Sequence, residues 1–276
     1  MSTRLGARIA GIGFWSPLLP GWPVARDVLA GLAPPPAGPP AKASARLLAP
    51  TERRRAPDTV AIALEVAAGA CEMARMDPRS LPSIFASTHG DLPINDYMCS
   101  TLATTPALCS PTKFHNSVHN AAAGYWTMGT GCMQPSTALS AWHDTFANGL
   151  LEALVQAVAG MTPVLYVAYD VGARGPLAAV SPSEGLLAMA LVLDPRGDAN
   201  PADWRLDASV EALPAPSQSA PAPAPWDALL PANAMRQCLP LLAALTGSGD
   251  SSMLLRLGSG SRLAVTVINA AAQGPA

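Results

Sequence analysis

Residues 110–160 read SPTKFHNSVHNAAAGYWTMGTGCMQPSTALSAWHDTFANGLLEALVQAVAG. The order of residue types predicts a helix, a glycine-rich turn, a short buried strand, a sharp turn and a long helix. The strand is expected at Ser136 to Ala141 (STALSA), and the helix from Asp144 or Thr145 to Gly160. A strand that breaks straight into a helix leaves free backbone N–H groups and the positive helix end at the turn. Those groups stabilise negative charge, which is why α/β enzymes seat nucleophiles there. Here the turn holds Trp142, His143 and Asp144, with neither Cys nor Ser at its apex.

Working outward, Ala7 to Phe14 (ARIAGIGF) has the pattern of a first strand, and Val24 to Gly31 that of a short helix. A polyproline-type connector, Pro34 to Pro40, leads to Arg46–Arg55, whose ERRR cluster suits a solvated helix start. Pro57 to Met76 is a strong helix, with Val60, Leu64, Ala67, Ala68 and Cys71 on one face. Pro82 to Thr88 is a second strand, followed by a helix around Asn95 to Ala103 and a loop at Pro106 to Lys113. Val118 to Met128 is a helix rich in Ala and Gly, able to approach another backbone closely. Pro163 to Tyr169 (PVLYVAY) is continuously apolar, as in a strand covered on both faces. Glu184 to Leu193 is another strand. Alternating strands and helices argue an α/β layered sheet.

The texture changes after Asp194. Trp204 to Ala212 suits a strand and Pro214 to Pro225 a low-complexity linker. Ala234 to Leu245 suits a short helix disturbed by Pro240. Ser252 to Leu257 and Arg262 to Asn269 flank GSGS as a hairpin. Residues 1–194 are thus expected as the main domain, with 195–276 completing it.

Half the 276 residues are apolar and 13% are charged, so much surface is expected to be covered, in part by a partner. The net charge of −2 and the lack of a basic patch argue against nucleic acid. Five cysteines without a C-x-x-C pair fit neither a disulfide framework nor a zinc site. They suit buried thiols in a reducing cytoplasm. No apolar run is long enough for a signal peptide or a membrane span.

The central stretch resembles the N-terminal half of the β-ketoacyl synthases, condensing enzymes of the thiolase fold. Asn120, Gly124, Gly131, Pro135-Ser136 and Gly160 fall where that family has its N…AG, G…GPS and helix-ending glycine. Glu184-Gly185 to Leu193, ARIAGIG and SIFASTHGD resemble other strands of the family. The resemblance covers Ala7 to Asp194 and implies one half of a thiolase-like layered fold with a small C-terminal helix plus β-hairpin.

It also implies a Cys nucleophile at the elbow, activated by the following helix. That position falls on His143, which cannot carry an acyl thioester. The family's second catalytic pair comes from its C-terminal half, yet no His follows His143, and only 82 residues follow Asp194. The resemblance therefore implies a non-catalytic, chain-length-factor-type subunit without cofactor or metal. With FHNSVHNAAAGYW it resembles the shortened partner found in aryl polyene and xanthomonadin-type pigment systems, which belong to type II fatty acid and polyketide-like chemistry. Such a subunit would pair with a full-length ketosynthase, and the pair would serve an acyl carrier protein. Phe114, His115, Val118, Tyr125 and Met128 become contact candidates; Asn95, Tyr97 and Met98 become tunnel candidates. Two alternatives stay open: an independent acyl-transfer or hydrolytic enzyme using His143, and a homodimeric scaffold. His115 and His119 stand four apart, but Asn116 replaces the Glu of the usual zinc motif.

Overall fold

The structure is a computed structural model and describes residues 4–196, 204–212 and 227–269. Its strands are β1 (Arg4–Trp15), β2 (Ser83–Ala86), β3 (Ser136–Leu139), β4 (Val164–Val171), β5 (Leu186–Asp194), β6 (Trp204–Ala212), β7 (Ser251–Arg256) and β8 (Ser261–Asn269). All eight join one sheet in the order β3-β2-β4-β5-β1-β6-β8-β7. β2 pairs in parallel with β3 and β4. The remaining pairs are antiparallel.

Parallel neighbours need crossover connections, and helices supply them. The main helices are α1 (Trp22–Leu29), α2 (Pro50–Arg55), α3 (Asp58–Ala74), α4 (Leu92–Thr104), α5 (Pro111–Asn116), α6 (Ala121–Thr130), α7 (Thr145–Gly160) and α8 (Leu239–Thr246). α3 and α6 cover one face of the sheet and build a core with Phe85, Leu165 and Val167. α1, α7 and α8 cover the other face and build a second core with Ile84, Tyr166 and Met189. The expected α/β layered architecture is present. Glycine lets the first layer close: a Cβ at Gly13 would lie 1.9 Å from Val66 O, and one at Gly11 2.0 Å from Ala70 O. The backbone of α3 therefore rests almost directly on β1.

β4 and β5 are buried nearly end to end, as their continuous apolar runs require. β3 is different. It was expected to be buried, but its residues alternate between exposed and half-buried. The cause is topological: among the described residues β3 pairs with β2 alone and leaves its other edge bare.

The expected C-terminal hairpin is present as β7 and β8. It joins the main sheet through β6, so the segment after Asp194 extends the sheet. The expected helix at 234–245 is divided into a 3-10 turn, Ala234–Cys238, and α8, because Pro240 suits only a first helical turn. α6 begins three residues later than expected, after a turn closed by Ala121 N donating to Val118 O. The loop expected at 106–113 instead holds the start of α5, capped by Ser110. The arginines of ERRR end α2 rather than start it, where the helix dipole favours cations. The Pro-rich stretch 214–225 lies outside the described residues. No helix among the described residues is long and apolar enough to cross a membrane. Cys71, Cys132 and Cys238 are buried free thiols, whereas Cys99, contrary to expectation, is exposed and Cys109 is half-buried.

Candidate functional site: an elbow without a nucleophile

In open α/β sheets, ligands and catalytic groups gather beyond the carboxyl ends of parallel strands. Here those ends belong to β2, β3 and β4. Asp170, the residue of β4 just before its end at Val171, is 3% exposed. Its carboxylate accepts hydrogen bonds from Ser87 Oγ (2.9 Å), Thr88 Oγ1 (2.7 Å) and Thr88 N (3.1 Å). Asp170 thereby fixes the loop that leaves β2. Burial pushes its carboxyl up to about 6, against the pull of those hydrogen bonds. Ser140 Oγ, just past β3, donates to Thr88 O (2.8 Å) and ties the elbow to the same loop.

The apex of the elbow is Trp142, not His143. Trp142 holds a left-handed φ of 54°, a costly conformation for a large side chain. Thr145 locks it from below: Thr145 Oγ1 donates to Trp142 O (2.6 Å) and accepts from Ala141 N (3.0 Å). The Trp142 indole lies edge-on between two imidazoles, with ring centroids 5.0 Å from His89 and 5.2 Å from His143. His89 Nε2 sits 2.9 Å from Ser181 Oγ. Burial, and then the nearby His119 and His143, hold His89 below the usual imidazole range, which favours its neutral form. His119 Nε2 donates to Ser87 O (2.7 Å). His143 is exposed.

The helix mouth behind the elbow is occupied by the chain itself. The first four N–H groups of a helix lack intrahelical partners. In α7 one of them, Ala147 N, donates to Gln237 Oε1 (3.0 Å). Gln237 Nε2 in turn donates to Arg256 O (2.9 Å), and the Arg256 guanidinium pairs with Asp144 at 2.8 Å. Asn148 Nδ2 adds bonds to Asp144 O (2.8 Å) and Leu257 O (3.1 Å). One of the donors at the helix mouth, and the Asp144 carboxylate beside it, are thus engaged with the C-terminal segment. Cys238, next in sequence to Gln237, is fully buried, and burial pushes its thiol up to about 12.

The contact candidates fall into two groups. Phe114 (66% exposed), Val118, Met128 and His115 lie at the surface. Tyr125, also expected there, is 2% exposed; it belongs to the core, with His115 stacked edge-on above it. Among the tunnel candidates, Met98 is buried beside Cys109, and Tyr97 lies beneath Lys113 Nζ at 3.6 Å. Asn95 Nδ2 donates to His89 O. His115 and His119 do not share a helix: α5 ends at Asn116, and the two rings have different partners.

A property of the surface stands out beside the elbow. Residues 97–143 contain a single Asp, Glu, Lys or Arg, namely Lys113. That stretch nevertheless exposes Leu102, Leu108, Phe114, Val118, Met128, Met133 and Trp142, and it carries the bare edge of β3. The sequence pointed to the elbow but not to Trp142 as its apex, nor to Asp170, His89 and Gln237. Their roles depend on hydrogen bonds between residues 82 to 92 apart or on backbone angle, which residue type alone does not encode.

Residues 30–238 match the family described as β-ketoacyl synthase, N-terminal domain. No curated protein matches the sequence. The fold is similar to a chain in the complex of a ketosynthase with its chain length factor from Xenorhabdus doucetiae. The TM-score is 0.66 at 20% identity, covering 96% of this chain and 98% of that one. It is also similar to a chain of the ishigamide ketosynthase/chain length factor, with TM-score 0.69, 13% identity and 96% and 99% coverage. A ketosynthase from Burkholderia phymatum gives TM-score 0.56 at 14% identity, with 74% of this chain covering 63% of that one. The thiolase-like ketosynthase fold expected from the sequence is therefore present, at a length shared with the first two chains.

Proposed function

We propose that this chain, which belongs to the β-ketoacyl synthase family, is a non-catalytic subunit that pairs with a full-length ketosynthase in the manner of a chain length factor. One observation carries the proposal: an intact elbow without a nucleophile borders an almost uncharged face with an open strand edge. Proteins normally protect bare edges with charged residues or a covering element. Residues 97–143 offer one lysine for that purpose and expose several large apolar side chains. An apolar patch of this kind marks a protein contact. Phe114, Val118 and Met128 would supply its anchors, with His115 beside them. Gly124 is exposed, and a Cβ there would meet nothing within 4 Å, so a partner backbone could come close to α6.

The resemblance of FHNSVHNAAAGYW extends the proposal to the product. The pair would elongate a polyene acyl chain held on an acyl carrier protein in the cytoplasm, as in aryl polyene pigments. The test is co-expression with each full-length ketosynthase of the same genome, followed by size-exclusion chromatography and light scattering. The expected result is a one-to-one complex that Phe114→Glu with Met128→Arg weakens at least about tenfold, since buried charge is not tolerated in such a patch. His143→Ala should leave complex formation and elongation unchanged. Acyl-thioester turnover by the isolated chain, abolished by His143→Ala, would refute the proposal. So would a stable homodimer that ignores every ketosynthase.

A further inference from the structure

The four histidines of the chain, His89, His115, His119 and His143, all lie in the uncharged face or directly against it. His115 and His143 are exposed, one on α5 beside Phe114 and the other at the elbow. His119 follows Val118 in the turn between α5 and α6, and His89 lies edge-on to Trp142. Two contacts join the inner and outer rings. Gly90, at φ +68°, leaves its Cβ position 3.4 Å from His119 Cα, so the His119 turn rests on the loop that carries His89. Trp142 then spans His89 and His143, with ring centroids at 5.0 and 5.2 Å.

Fixed charge is nearly absent from the same face. Of the chain's 17 Lys and Arg and 19 Asp and Glu, residues 97–143 keep Lys113 alone. Tyr and Cys side chains stay neutral below about pH 8. Histidine is therefore the residue type that can change the charge of this face near neutral pH. The carboxylates around it are already held. Asp144 pairs with Arg256 at 2.8 Å. Glu52 and Arg55, near Tyr125 on α2, pair with each other at 3.4 Å. Asp91 accepts from Thr59 Oγ1 and Ile94 N, and Asp170 from Ser87 and Thr88. Lys113 adds a like charge on the helix of His115, and Tyr125 beneath His115 brings a ring without charge. Burial, and then the nearby His119 and His143, hold His89 below the usual imidazole range, the direction in which clustered rings resist a further proton.

We propose that the ketosynthase contact through this face is proton-linked: the partner binds while the imidazoles are neutral, and acidification charges them and releases it. This regulation rests on the partner reading above. An imidazolium enclosed in an apolar contact loses water without gaining a counter-charge, so the contact favours the neutral ring. The free chain then holds protons that the complex excludes. Affinity is full above the imidazole range and falls as pH drops through it. An ordinary imidazole titrates near pH 6.5, so each ring kept neutral in the complex weakens binding about tenfold between about pH 7.5 and 5.5.

The test is the dissociation constant of the complex with the co-expressed ketosynthase, read by analytical ultracentrifugation at about pH 7.5 and about pH 5.5 and at constant ionic strength. The readout is the ratio of the two constants, which a merely weaker contact does not move. In the parent it should be at least about tenfold. His115→Gln with His143→Gln should bring it to about threefold or less, because the partner's own ionisable groups are unchanged. Phe114→Ala, by contrast, should weaken binding at both ends and keep the parent ratio. The silence expected of His143→Ala belongs to the neutral end of the range. Circular dichroism of the isolated chains at the acid end should show parent and variants folded, which separates release from unfolding. A parent ratio near one, a ratio that the double variant leaves unchanged, or acid unfolding of the parent would overturn the proposal while leaving the partner reading intact. Failure to bind at the neutral end would overturn the partner reading and this regulation with it.

Discussion

Gln237→Ala removes two hydrogen bonds at once, and their contexts differ. The bond from Gln237 Nε2 to Arg256 O (2.9 Å) lies at the surface, where water replaces it at little cost. The bond from Ala147 N to Gln237 Oε1 (3.0 Å) serves a residue that is 0% exposed. Its loss leaves a buried helix N–H unsatisfied, which costs about 1–3 kcal/mol. The expected destabilisation is therefore about 2 kcal/mol. For a chain of this length that lowers the melting temperature by roughly 4–8 °C. Urea unfolding followed by circular dichroism reads the change directly. Gln237→Glu is the informative comparison. It keeps an acceptor on Ala147 N and adds negative charge at the positive end of α7, so it should cost less than about 1 kcal/mol. A double-mutant cycle with Arg256→Ala should show coupling of about 0.5 kcal/mol or more, because both residues hold the same turn. If Gln237→Ala stays within about 0.5 kcal/mol of the parent, or Gln237→Glu is the more damaging, Gln237 does not cap the helix and the account of the closed elbow fails.

Two further outcomes follow from the packing and from burial. Gly13→Ala should destabilise by about 3 kcal/mol or more, because its Cβ would meet backbone rather than a side chain that can move; soluble, cooperatively folded protein of near-parent stability would contradict the close seat of α3 on β1. Asp170 has a carboxyl raised to about 6 from 3.8. In that window the folded chain holds a proton that the unfolded chain has released, so stability should fall as pH rises from about 4 to 6, by about 3 kcal/mol at most. Asp170→Asn should lose that slope while costing stability at every pH, and parallel pH–stability curves for parent and variant would rule the assignment out.

Much of the architecture was legible because it rests on short-range signals. The continuous apolar run of PVLYVAY located a doubly covered strand, and GSGS located the hairpin between β7 and β8. The lengths of α3 and α7 followed from periodicity and from their stops near Met76 and Gly160. The burial of β3 was not legible, since STALSA has the composition of a strand in any position and its exposure follows from sheet order. Tyr125 shows the same limit in reverse. It lies in a helix rich in small residues, and only the placement of α5 above it decides that His115 takes the surface and Tyr125 the core. The junction of the C-terminal segment with the sheet was likewise invisible, because β6 finds its partners in β1 and β8, at opposite ends of the chain.

The persistence of the elbow needs no catalytic explanation. α7 must turn back immediately after β3 because it packs directly on the sheet: a Cβ at Gly149 would lie 2.7 Å from Tyr166 Cε2 and 2.8 Å from the Ala86 Cβ. Tyr166, itself buried, donates its hydroxyl to Phe146 O (2.7 Å) and fixes the first turn of the helix. Those constraints set the sharp turn at Ala141–Asp144 whatever residue stands there. The turn therefore holds Trp142 at its apex with His143 beside it, and Gln237 caps Ala147 N. The segment carrying Gln237 and Arg256 also extends the sheet through β7 and β8, so closure of the helix mouth and completion of the core come from the same residues. Folding thus sets the shape of the elbow independently of any chemistry there, which is why that shape is compatible with the proposed role of the neighbouring face in holding another chain.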